Sequence, residues 1–221
     1  METVHKDLAC YVDNGWVHHP LVIGSLTADA ANINQIYRYK KGALSKARAD
    51  GDWETYVFLH ERPYRLDAMF KSPMKHLRKN PSEFWKLVGG IWIDTEYPHQ
   101  HPKKWRQLWG EPIEGRRACM SEEEICFLDT LPEQIEIWRG TSHKRGLAGL
   151  AWTLDREKAV WFAQRFCSES RVPLLAKGIV EKRDVLAYFE KRDEREIVSM
   201  NVSIISVIKL SEISSDSPRS E

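Results

Sequence analysis

The sequence predicts an α+β protein: a mainly helical segment over 1–118, a sheet-and-helix domain over 119–210, and a short polar tail at 211–221. Two textures predict it. Apolar positions recur at helical spacing before residue 118, and in short β-branched runs after 133. A single strong helix interrupts those runs, which marks a mixed sheet domain rather than an all-β one.

The elements follow in order. Ile33, Ile36, Tyr37, Leu44 and Ala47 fall near one face of a helix that Thr27 or Asp29 can cap and that ADGD (49–52) ends. WETYVFLHE (53–61) precedes Pro63, and PYRLDAMFK (63–71) begins with that proline in a first turn. Asn80-Pro81 opens PSEFWKLV, which Gly89-Gly90 is expected to stop. IWIDTEYPHQHPKKWRQLW (91–109) reads as a polar proline loop between tryptophan-bearing flanks. Ser121 with Glu122, Glu123 and Glu124 opens a helix that halts before Leu131-Pro132, because acidic side chains favour the positive helix end. IEIW (135–138) alternates, so Ile135 and Ile137 share a face, while PLLAKGIV (173–180) and VSIISVIKL (202–210) are strand-like. Asp155 caps the intervening helix, with Ala159, Phe162, Ala163 and Phe166 at i, i+3, i+4 and i+7.

Composition excludes several classes. Apolar content of 42% and charged content of 29% suit a chain with a real core. The net charge of +1 gives no global field for nucleic acid or membrane, although residues 1–118 are mildly basic. No run approaches 18 apolar residues and the start lacks an apolar signal region, which predicts a cytoplasmic protein with no membrane partner. Cys10, Cys119, Cys126 and Cys167 show no metal-site spacing and read as reduced, buried thiols. Asp94, Glu96, His99 and His101 fix no third ligand, so no metal is expected. There is no P-loop, GxGxxG or GxSxG. Tryptophans cluster between 85 and 161 and read as packing. Trp85, Trp92, Trp105 and Trp109, interleaved with Lys86, Lys103, Lys104 and Arg106, offer the alternative of stacking on single-stranded bases.

Three segments carry chemistry: IEIWRG (135–140), GLAWTLDREKAVWFAQRF (149–166) and EREIV (194–198). In order, they supply an arginine at a strand end, a hydroxyl before a helix and paired glutamates opening a strand. Those are the groups that breaking the nicotinamide–ribose bond of NAD requires. Positive charge builds on the ribose as nicotinamide departs, and a carboxylate such as Glu196 stabilises it. The guanidinium of Arg139 offers a fork of donors to pyrophosphate or ribose, and Gly140 lets a ligand approach backbone amides. Glu194 and Glu196 stand two apart, so a strand would turn both carboxylates into one cleft. The like charge raises one pKa, which suits a base for an incoming acceptor.

These blocks resemble the Arg, Ser-x-Ser/Thr and Glu-x-Glu motifs of the cholera-toxin-like mono-ADP-ribosyltransferases. The likeness covers about 133–210. It extends upstream, where LVGGIWIDTEYPHQHPKKWRQLW (87–109) and the MSEEE helix resemble the leader of prophage-associated members. The resemblance implies a split β-sheet domain preceded by a helical segment that selects the target or binds a partner. It implies Glu196, Glu194 and Arg139 as catalytic residues. Arg139, Gly140, Thr141, Trp152, Thr153 and Phe162 would hold NAD, the substrate. Phe162 and Trp161 would lie on the helix under the cleft, one packing inward. The acceptor would be a protein side chain or nucleic acid, and an antitoxin or immunity protein is an implied partner of such a phage or toxin effector. One departure stands out. Ala151 occupies the place of the first serine, which in the family hydrogen-bonds the essential glutamate, so that task would fall to Thr153 or Thr141. An NAD glycohydrolase on the same site, or a binding module that keeps the fold without the chemistry, are the alternatives.

Overall fold

The computed structural model describes residues 3–96, 98–165, 172–191 and 193–210, apart from the side chains of 27, 28 and 99. Expectations for Thr27, His99, Phe166, Cys167 and the tail 211–221 lie outside the described residues. The chain packs as two units that divide between Asn80 and Pro81, whereas the sequence placed a boundary at 118. Residues 81–118 therefore group with the large sheet.

The first unit opens with a sheet that the sequence reading did not anticipate. Strands β1 (Val12–Asp13), β2 (Trp16–His19) and β3 (Val22–Ser25) pair antiparallel in that order. Asn14 and Gly15 take left-handed angles (φ 48° and 78°), which is the two-residue hairpin turn that Asn-Gly favours. Helix α1 (Leu26–Asp50) is interrupted at Asp29, whose φ of −166° is extended. The Asp29 carboxylate accepts from the Asn32 amide at 2.9 Å and so caps the longer part of the helix, as expected. Gly51, at φ 71°, closes α1. Helices α2 (Trp53–Phe58), α3 (Arg65–Met69) and α4 (Pro73–Leu77) follow. A core of Leu8, Val17, Leu21, Val22, Ile33 and Tyr37 fastens α1 to the small sheet.

The second unit starts with α5 (Pro81–Asp94), which runs straight through Gly89-Gly90. The expected stop does not occur, because Gly89 serves packing. A Cβ there would stand 2.5 Å from the Cys119 carbonyl oxygen, so only glycine lets the 116–119 turn lie against α5. The proline loop is shorter than expected, since Pro102 starts α6 (Pro102–Trp109). Helix α7 (Glu122–Thr130) carries a full capping box, with Ser121 and Glu124 each bonded to the other's backbone amide. Trp85, Trp92, Trp105 and Trp109 are all buried to 1% exposure or less, so they present no face for bases to stack on. They pack on one another instead, with Trp85 and Trp109 stacked 5.8 Å apart. The expectation of uniformly buried thiols is corrected: Cys119 is buried, but Cys10 and Cys126 are exposed.

The remaining strands are β4 (Gln134–Thr141), β5 (Ala151–Thr153), β6 (Leu174–Glu181), β7 (Val185–Phe189), β8 (Glu196–Ser199) and β9 (Ser203–Lys209). They form one antiparallel sheet in the order β7-β8-β5-β4-β6-β9. Helix α8 (Arg156–Arg165) lies on β4. Asp155 caps it by accepting from the amides of Glu157 and Lys158 at 2.8 and 3.1 Å. Strand β4 pairs with β6 along its whole length but with β5 only at Trp138–Thr153. The sheet therefore splits beyond Trp138. That split is where the cavity lies.

Candidate functional site

A cavity of about 640 Å³ opens at the split, within the size range of small-molecule sites. Arg139, Gly140, Thr141, Trp152, Thr153, Phe162, Glu194 and Glu196 all border it, so the residues singled out in the sequence meet around one space. Their roles differ.

Arg139 leaves β4 where β5 has diverged. Its Nε donates to the Gly146 carbonyl at 2.6 Å and its Nη1 to the Ala151 carbonyl. Gly149 lies against the guanidinium so closely that any Cβ would occupy the position of Nη2. Two carbonyls and a missing side chain thus fix the orientation of the fork. Burial pulls the Arg139 pKa down to about 10, and attraction to the Glu196 carboxylate opposes that fall. The group remains a cation at neutral pH.

Gly140 has a different explanation from the one its sequence suggested. A Cβ would strike the Ala159 carbonyl and the Ala163 amide, so the bare backbone lets α8 settle onto β4. Thr141 organises the loop that follows. Its hydroxyl donates to the His143 carbonyl at 3.1 Å, while the His143 Nδ1 accepts from the Gly146 amide at 2.8 Å. The indole of Trp152 lies across Gly178 and donates to the Gly149 carbonyl at 3.2 Å. On α8, Phe162 faces the cavity and Trp161 stays half exposed, with the Arg165 guanidinium 4.9 Å over its ring.

The two glutamates share the cavity for a reason other than strand alternation. Strand β8 begins at Glu196, leaving Glu194 in the preceding turn. Asp193 and Arg195 there adopt left-handed backbone (φ 54° and 44°), a conformation that costs a bulky residue about 1–3 kcal/mol. Thr153 holds this turn in place: its hydroxyl donates to the Glu194 carbonyl at 2.6 Å and accepts from the Asp155 amide at 2.9 Å. Thr153 and Glu196 are also direct cross-strand partners.

The Thr153 hydroxyl donates to the Glu194 carbonyl and the Thr141 hydroxyl to the His143 carbonyl, so neither gives its proton to the Glu196 carboxylate. The donor is Trp92 of α5, whose Nε1 lies 3.1 Å from Glu196 Oε1 in a buried setting. This residue was read in the sequence as packing, and no local pattern connects it to a carboxylate in the last strands. Other lining residues went unmarked for the same reason. Gly146, Gly149 and Arg165 border the cavity, and Thr95 and Gln100 reach it from the segment around α6. Arg106 of α6 donates to the Ala148 carbonyl at 2.6 Å, fastening the 144–148 turn. Among the described residues, no group of three His, Cys, Asp or Glu side chains is placed to hold a metal ion, and no helix is long and apolar enough to cross a membrane. No family model, curated protein or solved structure matches the chain.

Proposed function

We propose that the protein is an NAD-dependent mono-ADP-ribosyltransferase acting on a macromolecular acceptor. The observation that carries this reading is the meeting of Arg139, Glu194 and Glu196 around one cavity at the split between β4 and β5. Arg139 presents its remaining donors to the pyrophosphate or ribose of NAD. As the bond from ribose C1′ to the nicotinamide nitrogen breaks, the pair of electrons leaves with nicotinamide. Glu196 stabilises the positive charge that builds on the ribose. A nucleophile of the acceptor then bonds to C1′ and surrenders its proton to Glu194. Arg165 adds a second cation to the cavity wall, on the helix that carries Phe162. The lining residues all belong to the second unit, so of the 1–118 segment expected to select the acceptor we keep that role for the first unit alone.

The test is incubation with labelled NAD and a whole-cell lysate, with and without nuclease, beside Glu196→Gln. Label on macromolecules that falls at least about a hundredfold in the variant supports the transferase, a loss in the range of removing one transition-state group. Nuclease sensitivity of the label separates nucleic acid from protein acceptors. Nicotinamide release without labelled macromolecule makes water the acceptor. Intact NAD in both samples overturns the reading.

A further inference from the structure

Glu196 is a carboxylate exposed to only 6% that borders the cavity at the start of a short strand. A carboxylate in that setting needs donors to hold one orientation, because an ionised group with an imperfect partner costs far more inside a protein than in water. Arg139 of β4 attracts the carboxylate without fixing its direction. Ala151, two residues before the cross-strand partner of Glu196 and on the same face, has no polar group, and the Thr153 hydroxyl donates to Glu194. We propose that Trp92 is the positioning residue of Glu196, supplying from α5 the hydrogen bond that sets the direction of the carboxylate. Naming a role in catalysis rests on the transferase reading; the physical link between the two side chains does not.

The surroundings of Trp92 suit that task. Its indole meets Trp105 edge-on at 4.7 Å and Trp109 at 5.6 Å. Trp109 in turn stacks on Trp85, and Gly89 brings α5 hard against Cys119. Large rings closed around an indole leave it one rotamer, so its N–H points in one direction. That direction is Glu196 Oε1. The hydrogen bond spans most of the second unit along the chain, which ties the carboxylate to a helix as rigid as the core around it. A donor carried by a loop would not confer the same constraint.

A variant is available that places a donor on the opposite side. Ala151 stands diagonal to Glu196 across the β5–β8 pair, within reach of a long side chain, so Ala151→Ser offers a hydroxyl to the same carboxylate. The experiment has two parts. In the intact protein, the Trp92 indole 1H–15N resonance is followed through a pH titration, beside Glu196→Gln and Glu194→Gln. The expected result is a titration step that disappears in Glu196→Gln and persists in Glu194→Gln. A resonance indifferent to pH, or a step that survives Glu196→Gln, overturns the proposal whether or not the protein consumes NAD. The second part is kinetic. Trp92→Phe keeps a ring in the core and removes the donor. It should lower kcat about ten- to a hundredfold, the range of a hydrogen bond to a charged group, with the KM for NAD within about twofold. Adding Ala151→Ser should recover most of that loss. Unchanged kcat in Trp92→Phe overturns the proposal. So does a loss with raised KM that Ala151→Ser leaves in place, since that marks packing alone. A wild-type protein that leaves NAD intact refutes the transferase, while the indole titration still decides the link to Glu196.

Discussion

Gly149 and Gly140 lack side chains for different reasons, and the same substitution should separate them. At Gly149 the obstacle to a Cβ is the far end of the Arg139 side chain, which can swing away. Gly149→Ala should therefore leave the melting temperature nearly unchanged while raising the KM for NAD about tenfold, the cost of a disturbed charged hydrogen-bond fork. At Gly140 the obstacle is helix backbone, which cannot move without lifting α8 off β4. Gly140→Ala should cost about 3 kcal/mol, at the upper end for overpacking, and show as a lowered denaturation midpoint. Exposure divides the cysteines just as clearly. Burial pushes the Cys119 thiol up to about 12, leaving it neutral and largely shielded from solvent. Alkylation of the folded protein at pH 8 followed by mass spectrometry should mark the exposed Cys10 and Cys126 and spare Cys119.

At the scale of elements, local signals carried far. The helix start at Ser121, the Asp155 cap and the alternation of Ile135 and Ile137 are short-range effects, so the sequence displays them directly, whereas Pro102 starts a helix where the sequence reads as loop. The arginine, threonine and glutamates were legible as a set because their order along the chain matches their meeting at the split. What escaped depends on partners distant in sequence. Gly89-Gly90 reads as a helix stop until the Cys119 carbonyl is seen against it. The strand β7 and the small sheet of the first unit are too short or too weakly patterned to stand apart from turns. Glu194 and Glu196 both border the cavity, but a left-handed Arg195 and the Thr153 hydroxyl stand where strand alternation was expected. Trp92 was hidden most thoroughly, because a buried indole that packs and one that also donates look alike in a sequence.

Taken whole, the chain divides into two compact units, and one ion pair of the first should make stability depend on pH. In the first, Asp7 accepts from Lys41 at 2.6 Å and from the Tyr37 hydroxyl at 2.9 Å. Those two hydrogen bonds, Lys41 first, hold the Asp7 carboxyl at about 2, below the ~3.9 of an unfolded aspartate. A depressed folded-state pKa favours the folded form wherever the group is ionised. Its contribution is therefore complete above about pH 4 and lost as pH falls towards 2. Thermal melts of wild type and Asp7→Asn should differ at pH 6 and converge near pH 2.

The continuation of α5 beyond Gly89-Gly90 also limits how the chain can be shortened. Trimming to residue 119 would retain Arg139, Thr153 and both glutamates, and would look complete to anyone reading motifs. It would also discard the indole that faces Glu196, the rings that hold that indole, and the α6 arginine that fastens the 144–148 turn. A polypeptide of 119–221 should bind little NAD and transfer none, whereas one of 81–221 should retain nicotinamide release even if it no longer finds its acceptor. On the proposed transferase reading, the smallest working piece should begin at Pro81, the first residue of α5, well upstream of Arg139.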